Sequence, residues 1–172
     1  MSTFAKLKLV ASYKKVRYYS VTLAGSADDE FNDRTLFENF FHEHSQCNSE
    51  KLKNIVYWLK EIGDTRGALE EDFRAEKAAH ALPPPKCTVF IGKGKKNNNL
   101  RLYCLRANES VVFLFSGDVK TEGKAQNCPN VKGHFELANK LANKINQSFG
   151  TDLSWNDDYT DIDFNEDFIF EI

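Results

Sequence analysis

Arg101 and Tyr103 stand two residues apart in the run Leu100-Arg101-Leu102-Tyr103-Cys104-Leu105-Arg106, rich in apolar and aromatic residues. A strand alternates its side chains, so Arg101 and Tyr103 share one face, and Leu100, Leu102 and Cys104 take the other. An arginine's planar fork can hold two phosphate oxygens at once, and a phenol beside it can donate to a third. The same spacing also describes a strand face simply turned to water. Lys120 and Lys124 follow in a loop, where function often sits and where solvated charge is also common. Lys93, Lys95 and Lys96 lie beside Asn97, Asn98 and Asn99 in a polar turn. That turn could track an RNA backbone or be a plain hairpin tip. Arg106 closes the run as a turn cation. Arg74 follows Glu70 by four residues, the spacing of a surface ion pair on a helix. His134 falls in the first turn of a helix. His42 and His44 flank a Glu with no third ligand at useful spacing, which argues against a metal site.

The elements that must position these residues can be read from periodicity. Residues 4–10 and 16–23 read as strands, the second dense in β-branched and aromatic residues. Ser26 with Asp29 resembles a helix start, followed by a helix over residues 27–44 carrying Phe31, Phe37, Phe40 and Phe41. A second helix begins at Ser49, with Leu52, Ile55, Leu59 and Ile62 at helical spacing and Gly63 as its stop. Residues 67–80 fit a third helix, ended by Pro83, Pro84 and Pro85. Residues 87–91 read as a short strand. Residues 100–106 and 110–115 form a hairpin turning at Asn108 and Glu109. A loop over 116–130 leads to an amphipathic helix over 131–149, marked by Leu137, Leu141, Ile145 and Phe149. In the last segment Ile162, Phe164, Phe168, Phe170 and Ile172 alternate with mostly acidic neighbours, as in a strand with one apolar face.

Composition limits what such a chain can be. Its 172 residues are 41% hydrophobic, 13% aromatic and 28% charged, proportions that suit a folded domain rather than a disordered one. Fourteen Phe against one Met point to a core built from rings. Cys47, Cys87, Cys104 and Cys128 are scattered and include no Cys-x-x-Cys pair, which suits free thiols in a reducing compartment. Lys6 and Lys8 interrupt the start of the chain before an apolar signal region could form, so a cytoplasmic location and no membrane contact are expected. No nucleophile elbow, phosphate loop or dinucleotide fingerprint is present, which removes those enzyme classes. Charge is divided unevenly. Residues 151–172 hold eight acids and no Lys or Arg, whereas the first 150 residues hold 17 acids against all 23 bases, a net of +6.

From Leu52 onward the chain resembles the RelE/ParE-type toxin superfamily, particularly its HigB-like branch. The matching stretches are residues 55–60, Arg101-Leu102-Tyr103, the run Val111-Val112-Phe113-Leu114-Phe115 with Gly117, and Asp118-Val119-Lys120-Thr121. Ala125, Gln126 and the closing helix follow them, so about half the chain is covered. The resemblance implies one α+β domain over residues 1–172, with a central antiparallel sheet and packed helices. In it the RelE-like core occupies residues 26–150, with an N-terminal hairpin (1–25) and an acidic C-terminal arm (151–172) added. It also implies an mRNA endoribonuclease of a type II toxin–antitoxin system, in which the 2′-OH attacks the adjacent phosphate without metal or cofactor. Arg101, Tyr103 and Lys120 would be catalytic, with Arg106, Lys124, Lys93, Lys95 and Lys96 holding RNA. The implied partners are a small helix-turn-helix antitoxin and ribosome-bound mRNA. A non-catalytic relative, keeping the fold and acting through protein contacts, is the alternative.

Overall fold

The computed structural model describes all residues, 1–172. Strands β1 (Phe4–Ser12) and β2 (Arg17–Ala24) pair as an antiparallel hairpin. Ala5 and Leu7 face one core at alternate positions, whereas β2 is buried on both sides, with Tyr18 in one core and Tyr19 and Val21 in the other. A strand covered on both faces must lie inside a sheet, and β2 does. It runs parallel to β8 (Val111–Val119), which pairs antiparallel with β7 (Leu100–Arg106). Beyond β7 come β4 (Ala79–Leu82) and β3 (Arg74–Glu76), and β11 (Ile169–Glu171) pairs with the free edge of β1. The order across the seven-stranded sheet is β11-β1-β2-β8-β7-β4-β3.

Two layers cover this sheet. Helices α1 (Leu36–Cys47) and α2 (Ser49–Glu61) lay Phe40, Leu52, Ile55 and Leu59 against Val16, Tyr18, Leu100, Leu102, Cys104, Val112 and Leu114. On the other face α3 (Pro129–Ser148) packs Val131, Phe135, Ala138, Leu141, Ala142 and Ile145 against Tyr19, Ala79, Ala81, Tyr103, Leu105, Phe113 and Phe115. Double coverage explains why β7 and β8 read as near-continuous apolar runs. A separate two-stranded ribbon, β5 (Thr88–Ile91) with β6 (Gly94–Asn97), projects beside α2.

The α+β class holds, and the hairpin at 100–115 turns as expected, with Asn108 Oδ1 accepting from the backbone N–H of Ser110 and Val111. Several expectations need correction. The sheet is mixed rather than purely antiparallel. The N-terminal hairpin is built into the main sheet, where β1 and β2 are interior strands. Helix α1 starts at Thr35, not near Ser26, because Thr35 and Glu38 form a capping box that satisfies two backbone donors reciprocally. Helix α2 does not stop at Gly63. It continues through a π-helical turn over Ile62–Arg66 to Gly67, whose φ of 79° ends it. Gly63 is instead a packing glycine, since a Cβ there would stand 2.6 Å from Tyr13 Cγ.

The helix expected over 67–80 is absent. A 3-10 turn (Glu70–Asp72) leads into the β3–β4 hairpin. Its two-residue turn places Lys77 at φ 63°, a region most side chains avoid. Asn139 of α3 holds this turn, accepting at Oδ1 from the N–H of Ala78 (2.8 Å) and Ala79 (3.1 Å).

The acidic segment docks. It forms a small hairpin of β9 (Leu153–Trp155) and β10 (Ile162–Phe164), then β11. Leu153, Ile162 and Phe170 enter the α3-side core. Cutting the chain after Gly150 removes three buried side chains worth about 1.5–3 kcal/mol each. A loss of about 5 kcal/mol or more is expected in denaturant unfolding, and an unchanged midpoint would refute this packing role. Gly117 carries a sharper constraint. A Cβ there would lie 1.7 Å from the Arg101 carbonyl oxygen, so Gly117→Ala is expected to destabilise by about 3 kcal/mol or more, measured the same way.

Candidate functional site

Strand register brings together residues that the sequence keeps apart. Arg74 pairs with Ala81 and Ala81 with Tyr103, while Glu76 pairs with Ala79. Directly opposed residues share a face. One sheet face therefore carries Arg74, Glu76, Arg101 and Tyr103 around a low floor of Ala79 and Ala81. Lys120 arrives from the end of β8, anchored where its backbone N–H donates to the Asn99 carbonyl (2.8 Å).

Burial dominates the electrostatics here. Arg101 is only 9% exposed, and its Nη1 donates to the carbonyls of Asn98 (2.7 Å) and Leu100 (3.2 Å). Burial, reinforced by the Arg74 charge, pushes its pKa down to about 10. Tyr103 is wholly buried with its ring edge-on to Phe135, and burial raises its phenol. Glu76 is half-buried, and burial lifts its carboxyl above the ordinary value, although Lys120, Arg101 and Arg74 all pull it down. None of those three cations closes a salt bridge with it. Arg74 donates instead to the carbonyls of Pro83 (2.9 Å) and Pro84 (3.4 Å).

Three buried side-chain polar atoms in the chain lack a hydrogen-bond partner: Asn99 Oδ1, Arg101 Nε and Tyr103 Oη. All lie within five residues at the start of β7. Buried polar atoms are normally satisfied, and mutually perturbed titratable groups concentrate at functional sites. Both signals mark the same corner.

The structure thus gathers Arg101, Tyr103 and Lys120, but neither as a solvated strand face nor as an open phosphate cradle, because α3 covers that face. The other expected residues scatter. Arg106 sits at the far end of β7, about 17 Å away along the strand, where its Nε donates to the Ala68 carbonyl and its Nη1 lies 3.7 Å from Glu70. Glu70 therefore pairs with Arg106 and not with Arg74 as the helical reading required. Lys124 is exposed on the β8–α3 connection, and Lys93, Lys95 and Lys96 are exposed on the β5–β6 ribbon. His44 is buried with Nε2 3.2 Å from the Gly117 carbonyl, and His134 Nδ1 lies 2.8 Å from Ser116 Oγ. No group of three or more His, Cys, Asp or Glu side chains is placed to hold a metal.

Glu76 is the residue sequence reasoning missed. It was hidden by the assignment of 67–80 to a helix. The one polar residue in Ala79-His80-Ala81-Leu82, alternating with alanines, is the signal the sequence offers for a strand there. A polar cleft of about 440 Å³ at the opposite end of the sheet, with Lys14, Lys15, Arg17 and Arg66 in its wall, is a weaker candidate. Arg66 is engaged by Asp72 (2.7 Å) and Glu71 (3.2 Å), and Arg17 lies 3.9 Å from Asp161.

Comparison of the chain with family models, curated proteins and solved structures returned no match. No helix is long and apolar enough to cross a membrane.

The raised Glu76 pKa makes a signed prediction. The folded state holds the proton more tightly than the unfolded chain, so its contribution to stability is full below the unfolded value of 4.5 and is lost as pH rises through the folded value. Glu76→Gln mimics the protonated form. The variant is expected to be more stable than the parent near neutral pH, with the difference closing below about pH 4. Denaturation midpoints across pH check this, and a variant less stable at neutral pH would refute it.

Proposed function

We propose that the protein is a toxin-like endoribonuclease of the RelE/ParE type, cleaving RNA without a metal at the Glu76–Arg101–Lys120 corner. The observation that carries this reading is a half-buried carboxylate of raised pKa facing three cations, none of which closes a salt bridge with it. A phosphodiester entering there would meet groups suited to each step. Glu76 takes the proton of the 2′-OH, and the 2′ oxygen attacks the adjacent phosphorus. Arg101 and Arg74 stabilise the extra negative charge on the phosphorane oxygens. The P–O5′ bond then breaks, Lys120 protonates the departing 5′ oxygen, and a 2′,3′-cyclic phosphate and a 5′-OH remain. Tyr103, buried on the same face with its phenol kept neutral by burial, packs beside Arg101 and Glu76 without touching the reacting atoms. In this reading the protein is cytoplasmic, its restraint is a small helix-turn-helix antitoxin, and its substrate is ribosome-bound mRNA.

A second reading is favoured by one observation: Tyr103 is 0% exposed and Arg101 9%. A corner so closed suits a non-catalytic relative that acts through protein contacts. One assay separates the two. Purified protein is incubated in chelator with labelled free RNA and with mRNA on ribosomes, and cyclic-phosphate ends are measured. Cleavage is expected, with Glu76→Gln slowing it about 10²- to 10⁴-fold and Lys120→Ala slowing it less. Wild-type rates in a folded Glu76→Gln variant would remove this mechanism, and no cyclic phosphate from either substrate would establish the non-catalytic reading.

A further inference from the structure

The β5–β6 ribbon carries an aromatic side chain that the fold does not use. Thr88 pairs with Asn97, Val89 with Lys96, Phe90 with Lys95 and Ile91 with Gly94. Opposed residues share a face, so Thr88, Phe90, Lys95 and Asn97 form one side of the ribbon, and Val89 and Lys96 belong to the other. Val89 is 7% exposed on the side held against α2, whereas Phe90 is 73% exposed. Phe90 is more exposed than any other aromatic side chain in the molecule. Gly92, at φ 63°, closes the turn with Lys93, setting a third cation at the tip.

The chain on either side of this ring carries charge of one sign, and the nearest acid from another element, Glu50 at the start of α2, shares a cleft with Ile91 and is paired with Lys53. Between Glu76 and Glu109 the chain holds no acid, while it holds Lys77, Lys86, Lys93, Lys95, Lys96, Arg101 and Arg106. None of the ribbon lysines is in a salt bridge. A lone exposed Phe would need no explanation. A Phe on a projecting ribbon, flanked by uncompensated lysines and hydrogen-bonding Thr and Asn side chains, matches a ligand with flat apolar rings joined by negative charges.

We propose that the β5–β6 ribbon is a stacking platform for single-stranded RNA, with a base laid on Phe90 and the flanking phosphates held by Lys93, Lys95 and Lys96. Single strands fit because stacking needs an open base face, which a duplex hides. The ribbon would capture the strand that the Glu76 corner cuts, so the proposal rests on the reading that the chain engages RNA, yet binding can be measured apart from cleavage.

The test uses full-length Glu76→Gln protein and a fluorescent single-stranded RNA of about a dozen nucleotides, read by anisotropy over a range of salt concentrations. Adding Phe90→Ala is expected to weaken binding about 5- to 150-fold, the loss of one stacked base, with the salt slope and the melting temperature unchanged. Phe90→Trp is expected to retain affinity. Replacing each of Lys93, Lys95 and Lys96 by Gln is expected to lower the slope of log K against log salt by about 0.7. Unchanged affinity in Phe90→Ala overturns the platform, as does equal binding of a duplex of the same sequence. Preferential, Phe90-dependent binding of an acidic peptide overturns it in favour of a protein partner. Binding through Phe90 without any cleavage by the wild-type protein would sink the catalytic reading and leave the platform standing. Cleavage without a Phe90 effect would do the reverse.

Discussion

Everything around the candidate site hangs on one extra residue in β8. Between Leu102 and Cys104 the partner register runs from Gly117 to Leu114, so β8 bulges opposite Tyr103. A bulge bends its strand and re-aims the side chains beside it. Here it also exposes backbone and hydroxyl groups that both covering layers grip. His44 of α1 reaches the Gly117 carbonyl from one side, and His134 of α3 reaches Ser116 from the other. Gly117 must lack a side chain because a Cβ there would stand 1.7 Å from the Arg101 carbonyl oxygen. The close approach of Gly117 to the Arg101 carbonyl sets the spacing of β7 and β8 at the bulge, and the two histidines tie a helical layer to it on each side.

Much of this fold was legible in the sequence. The β7–β8 hairpin, α2 and α3 announced themselves by period, and the apolar alternation of the acidic segment foretold its docking. The β3–β4 hairpin did not, because its turn has neither Gly nor Asn at the strained position. Asn139, some sixty residues away, stabilises Lys77 in a conformation that local propensity disfavours. The start of α1 was misplaced because Ser26 and Thr35 both look like caps, and only Thr35 is followed at the third position by a Glu that completes the reciprocal pair.

The candidate corner was legible only in part, because Arg74 and Glu76 both fall inside a stretch that reads as helix and folds as strand. Arg101 and Tyr103 could be placed on one strand face by spacing, and Lys120 came from the resemblance, but the burial of Tyr103 depends on α3, which packs Phe135 against its ring. Glu76 belongs to the site only once β3 pairs with β4 and β4 with β7. That pairing sets a carboxylate beside three cations, where desolvation outweighs their combined attraction and holds its proton affinity up.

The pairing of β11 with β1 has a consequence for how the chain is made. Lys6 lies opposite Ile169, so during synthesis the first strand emerges early and waits for a neighbour that is translated much later. Until then its outer edge offers unpaired N–H and C=O groups to any passing strand, the usual route to aggregation. The parallel joint of β2 with β8 imposes a similar delay. Non-local pairings of this kind slow folding, so a nascent chain of this protein spends much of its translation with an open sheet, and a slower ribosome lengthens that exposure.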